Sequence, residues 1–148
     1  MSTQNETRVS GPWVQIAAFC QNAIVDNTTG YLSIINVFDR VVLVGTTQDI
    51  QPAPLKLTLV VVLKSDDIRG QHQIKVRSVS PSQKSVDSPE IPFLFEGGDR
   101  GVQAVLPFGI IVTQQGLHWF EIVMEDDTVL SRVPLHVIYQ RVQLPPGS

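Results

Sequence analysis

The sequence predicts an all-β chain, a two-layer antiparallel β-sandwich of about seven to eight strands with immunoglobulin-like or Greek-key connections. Short runs of β-branched and aromatic residues recur from Gly11 to Arg141. Clusters of Gly, Asp, Asn and Pro separate them at the spacing of all-β folds, and no long stretch repeats with a helical period. A chain of 148 residues has the usual size of one domain and can bury a core without disulfides or metal. The domain is expected over residues 11–142. A disordered arm over 1–10 and a tail over 143–148 flank it, because neither end has an apolar period to bury.

Eight strands are expected in order. Trp13 to Gln21 and Tyr31 to Leu43 open the domain, the turn Asp26-Asn-Thr-Thr-Gly30 lying between them. The run Leu55 to Lys64 has the cleanest period of two: Leu55, Leu57, Leu59, Val61 and Leu63 make one aliphatic face. Gln71 to Val79, Pro92 to Phe95, Val102 to Val112, Leu117 to Met124 and Val129 to Arg141 complete the set. Asp66-Asp-Ile-Arg-Gly70, Thr113-Gln-Gln-Gly116 and Asp126-Asp-Thr128 supply residues suited to tight turns, so neighbouring strands are expected to be antiparallel. The Pro-rich links Gly45 to Pro54 and Pro81 to Ile91 are expected to carry the chain between sheets, and bulges are expected at Pro107 and Pro134.

Composition narrows the function. Eleven Lys and Arg against fourteen Asp and Glu leave a net charge of −3, and the basic residues are scattered, which argues against a nucleic-acid partner. No apolar run approaches the ~20 residues of a membrane helix, and Met1 to Ser10 is polar, so neither a membrane span nor a signal peptide is expected. Cys20 is the single cysteine and sits among apolar residues, which suits a small buried hydrophobe in a reducing, cytoplasmic setting.

The segment Gly116-Leu-His-Trp-Phe-Glu-Ile-Val-Met-Glu-Asp-Asp-Thr-Val-Leu-Ser-Arg-Val-Pro-Leu-His-Val resembles the closing hairpin of bacterial immunoglobulin-like sandwiches. His118 stands where that pattern has Tyr, so the hydroxyl bond a Tyr would make is missing. With Gln15-Ile-Ala-Ala-Phe-Cys-Gln21 and Tyr31-Leu-Ser-Ile-Ile-Asn-Val-Phe38, nearly the whole domain resembles an uncharacterised family of small bacterial β-sandwich proteins. The resemblance implies the fold and brings no activity, cofactor or site residues.

No enzyme is expected. Cys20 has no His partner that spacing supplies, and there is no Gly-x-Ser-x-Gly. His72 and His118 share the inward parity of their strands, which suits satisfied core histidines better than metal ligands; the third histidine is His136. Gly97-Gly-Asp-Arg-Gly101 opens no helix and brings no Lys and Ser or Thr, so it is expected to be a glycine-rich hairpin rather than a phosphate loop.

Two positive readings remain. Period two sends Val60, Val62, Trp119, Val123 and Ile138 to outer faces, where apolar residues suggest that a second copy, a protein partner or the N-terminal arm covers them. Scattered outer-face apolars are also ordinary. The alternative is a ligand- or calcium-binding module, because alternate loops of a sandwich share one end and carry Asp26, Asp66, Asp67, Asp99, Glu125, Asp126 and Asp127. Solvated hairpin tips account for the same residues, and Arg69 and Arg100 lie among them. No cofactor is implied. Protein contact or self-association is the leading reading.

Overall fold

The computed structural model describes residues 11–145, and these are all-β. The expected arm over 1–10 and the last residues of the tail lie outside the described residues. The strands are β1 (Trp13–Val25), β2 (Leu32–Phe38), β3 (Arg40–Gly45), β4 (Ala53–Val79), β5 (Ser85–Asp87), β6 (Ile91–Val112), β7 (Gly116–Met124) and β8 (Val129–Arg141). They form one sheet in the order β2-β1-β4-β7-β8-β3, with β5 and β6 both on β4.

Two layers arise because β4, 27 residues long, bends in its middle. Its first half pairs with β1 from Trp13↔Lys64 to Cys20↔Thr58, and its second half with β7 from Ile74↔Met124 to Val79↔Trp119. β6 follows it through the bend along the other edge, from Ala53↔Val112 to Ile74↔Ile91. The layers meet where Phe19 of β1 packs edge-on against Phe120 of β7, centroids 4.9 Å apart, with Phe108 of β6 5.8 Å from Phe120. Leu57, Leu59, Val61 and Leu63, the aliphatic face read from the sequence, are all buried in this core.

The bend corrects several expectations. Asp66-Asp-Ile-Arg-Gly70 and Gly97-Gly-Asp-Arg-Gly101 are not hairpin turns: β4 and β6 run through them as paired strands with register shifts between Lys64 and Asp66 and between Asp66 and Arg69. Asp66, Gly70, Gly97 and Gly98 have positive φ, which supplies the twist a bulge requires. A Cβ on Gly97 would collide with the Arg69 guanidinium, whose Nη1 donates to the Glu96 carbonyl at 2.7 Å.

The expected strand Tyr31 to Leu43 is two strands, broken at Asp39, and β3 leaves β2 to pair in parallel with β8 (Arg40↔His136 to Gly45↔Arg141). Every other pairing is antiparallel, as expected. Pro107 and Pro134 sit in unbroken register opposite Thr58 and Trp119; the bulges fall elsewhere, at Val14/Ile16 and Ile122/Val123 as well as at the bend. Pro134 precedes the β3 ladder, which begins at His136 with the bond from its amide to the Asp39 carbonyl, so its missing N–H falls outside that ladder.

Candidate interaction surface

The five outer-face residues divide between two layers. Val60 and Val62 belong to the β1–β4–β6 layer, where Val60 lies in register between Ala18 and Val105. The β1–β2 hairpin folds back over this face. Gln103 Nε2 donates to the Gly30 carbonyl at 3.1 Å, and Leu32 and Ile34 line the same shallow depression as Ile16 and Val62. Val60 is 0 % exposed and Cys20, diagonal to it in register, 2 %, while Val62 is half-buried. Burial pushes the Cys20 thiol pKa up, a backbone hydrogen bond from Asn22 opposing in part. The outward parity of Val60 holds, and the cover is the chain's own hairpin. The hairpin in turn leaves Ile24, Tyr31, Ile35 and Val37 exposed on its far side.

On the β7–β8–β3 layer, Val123 is also fully buried, opposite Lys75 in register. Lys75 is held there by Asp87 at 3.1 Å and Asp127 at 3.6 Å, and Arg77 bonds the same two carboxylates at 2.8 and 3.3 Å. Hydrogen bonds from Arg77 and then Lys75 hold the Asp87 carboxyl down at about 2. Trp119 is half-buried between Val79 and Pro134, with the Arg132 guanidinium 4.0 Å above its ring.

Ile138 is half-buried and opens onto an apolar stripe that sequence reasoning missed. It pairs with Val42, 52 % exposed; Val44, 61 % exposed, lies two residues along β3; and Leu117, paired with His136, is diagonal to Ile138. The stripe was hidden by reading Tyr31 to Leu43 as one strand. The polar pair Asp39-Arg40 marks the break at which parity restarts, turning Val41 and Leu43 to the core and Val42 and Val44 outward.

The seven acidic residues are dispersed. Asp26 accepts from the amides of Thr28 and Thr29, and these bonds lower its pKa, that from Thr29 most. Asp66 sits opposite Gly98 in the bend, next to Asp67, and the Asp99 carbonyl receives Lys64 Nζ at 3.4 Å. Glu125 Oε1 takes His72 Nδ1 at 2.9 Å and the Gln73 amide at 3.0 Å. Asp126 closes its own turn on Thr128, and Asp127 faces Arg77. Among the described residues no three of His, Cys, Asp and Glu are grouped as an ion would require.

The histidines are likewise apart. His118 is buried, as its parity implies, with Nε2 3.0 Å from the Gln114 carbonyl; His72 is half-buried between Glu125 and the Arg69 carbonyl; His136 is exposed. Among the described residues no helix is long and apolar enough to cross a membrane.

A comparison with curated proteins finds no match. The model of a family of unknown function, DUF6941, matches residues 15–138, most of the chain, which spans β1 to β8. The chain belongs to that family.

Proposed function

Taking the chain as a member of DUF6941, we propose that it is a non-catalytic β-sandwich that works through protein contacts, and that the outer face of β7, β8 and β3 is the contact surface. The observation that supports this reading is the stripe formed by Leu117, Ile138, Val42 and Val44, contiguous in strand register on an outer face, with Leu117, Val42 and Val44 exposed where a solvated sheet face carries polar residues. Trp119, a residue type enriched at binding hot spots, borders it. A bacterial, cytoplasmic setting and an immunoglobulin-like lineage belong to the same reading, supported by the buried Cys20 thiol and by the closing hairpin. The calcium alternative draws no support from the dispersed carboxylates.

The test is the mass at which the chain runs in an extract of its own cells, for the wild type and for the pair Leu117→Glu and Ile138→Glu. Wild type is expected above the 16.3 kDa of one chain and the variant at that mass, with unchanged circular dichroism. Equal masses for a folded variant and wild type overturn the reading.

A further inference from the structure

Strand β3 ends the sheet, and among the described residues only β8 pairs with it. The phase of that ladder is set by two bonds: the His136 amide donates to the Asp39 carbonyl and the Val142 amide to the Gly45 carbonyl, each at 2.8 Å. In a parallel ladder the groups of alternate residues point the same way, so Val41, Leu43 and Gly45 turn their N–H and C=O to β8, and Arg40, Val42 and Val44 turn theirs to the open edge.

This open edge is its own complement. An antiparallel copy of β3 placed with Val42 opposite Val42 puts Arg40 opposite Val44 on both sides. Every residue that points outward then meets another that does, and roughly six hydrogen bonds close with no group of those three residues left over. The same register keeps Val42 and Val44 of both copies on one face, so the apolar stripe continues across the junction.

The edge also lacks the devices by which sheets discourage such pairing. β3 has no Lys, no Pro and no bulge, and its one charge, Arg40, is at its start. The other open edges are blunted: β6 carries Pro107 between Gly101 and Gly109, β2 is turned by Asn36 at φ 57°, and β5 has three residues.

We propose that β3 pairs antiparallel with β3 of a second copy across a two-fold axis at Val42, joining two sheets into one. The proposal rests on the reading that this layer carries the chain's contacts and places a second copy at its β3 edge. Leu117 and Ile138, on β7 and β8, stay outside that junction, so their Glu variants test the face and the Val42 variants test the edge.

Light scattering of the full purified chain across a range of concentrations tests it, with Val42→Lys, Val42→Pro and, on a Cys20→Ala background, Val42→Cys. Wild type is expected at twice 16.3 kDa and the Lys and Pro variants at one chain mass with their circular dichroism retained, because the Val42 amide makes no bond to β8. The near-isosteric Val42→Cys is expected to form a disulfide dimer on mild oxidation of the native protein, since hydrogen-bonded antiparallel partners place Cα atoms ~5.5 Å apart. A Cys at the exposed Val86, measured on the same background, is expected to cross-link at least tenfold more slowly.

A wild type of one chain mass at every concentration, a Val42→Lys dimer, or equal cross-linking at positions 42 and 86 overturns the proposal. So does a monomer whose Val42 and Val44 amides resist hydrogen exchange, which would assign the edge to the chain's own arm. If Val42→Lys does not fold, the cross-linking rates decide. A monomeric purified wild type that still loses mass in cell extract on Leu117→Glu and Ile138→Glu removes the second copy and keeps the contact surface.

Discussion

The guanidinium of Arg132 lies 4.0 Å above the ring of Trp119, on the outer face of the second layer. The tryptophan is thereby partly covered by its own β8 neighbour, which explains how so large a ring is tolerated away from the core. A partly exposed cation–π contact stabilises by about 0.5–1 kcal/mol. Arg132→Ala is expected to lower stability by that amount and to shift the Trp119 emission to the red, read in a Trp13→Phe background to remove the other tryptophan. An unchanged spectrum would mean that Arg132 does not sit over the ring in solution.

Phe120 joins the two layers through Phe19 and Phe108, and its side chain is fully buried. Phe120→Ala is expected to cost about 3–5 kcal/mol in chemical denaturation, the transfer loss of the ring plus the cavity it leaves. A loss below 1.5 kcal/mol, outside that range, would show that the layers do not close on this ring.

The Asp87 carboxyl is held at about 2 by hydrogen bonds from Arg77 and then Lys75. Its folded value lies below the unfolded value of about 4, so its contribution is fully present above pH ~4 and is lost as pH falls through the folded value. Between pH 4 and 2 the wild type is expected to lose melting temperature more steeply than Asp87→Asn, and added salt to narrow the difference. Parallel curves would show that the pairing is absent from the folded ensemble.

Cys20 is buried at the base of the β1–β2 hairpin, paired with Val37 of β2 and Thr58 of β4, and burial raises its thiol pKa. Labelling by a thiol reagent at neutral pH is therefore expected to be slow and to follow opening of the hairpin. Gln103→Ala deletes the bond to the Gly30 carbonyl, worth about 1 kcal/mol, and is expected to speed labelling about fivefold. Equal rates would mean that Cys20 is reached by another route.

Gly97 and Gly30 both have positive φ, but only at Gly97 would a Cβ meet a neighbour, the Arg69 guanidinium. Both Ala substitutions bear a backbone cost of about 1–3 kcal/mol. Gly97→Ala is expected to melt lower than Gly30→Ala, and Arg69→Ala to recover the difference. Equal melting points would show that the bend has room for the methyl group.

Read alone, the sequence determined the all-β class, the aliphatic face of β4, the inward side of His118 and the burial of Cys20. These follow from period two and side-chain chemistry, which are local. Period two also sends Val62, Trp119 and Ile138 to half-buried positions beside exposed neighbours, whereas Val60 and Val123 come out fully buried and Val123 follows a bulge that period two does not show.

What period two leaves open is where a strand ends when its turn residues are used as bulges. Asp66 to Gly70 and Gly97 to Gly101 have turn composition, yet opposite one another they pair and bend, because each supplies the positive φ that the other's ladder tolerates. Only the tertiary structure decided that Val60 is covered by the β1–β2 hairpin and Val123 faces a tethered Lys75, and that β3 breaks from β2 to end the sheet beside β8 with Val42 and Val44 outward. Those outcomes depend on contacts between residues far apart in the chain, whose energies no local pattern encodes.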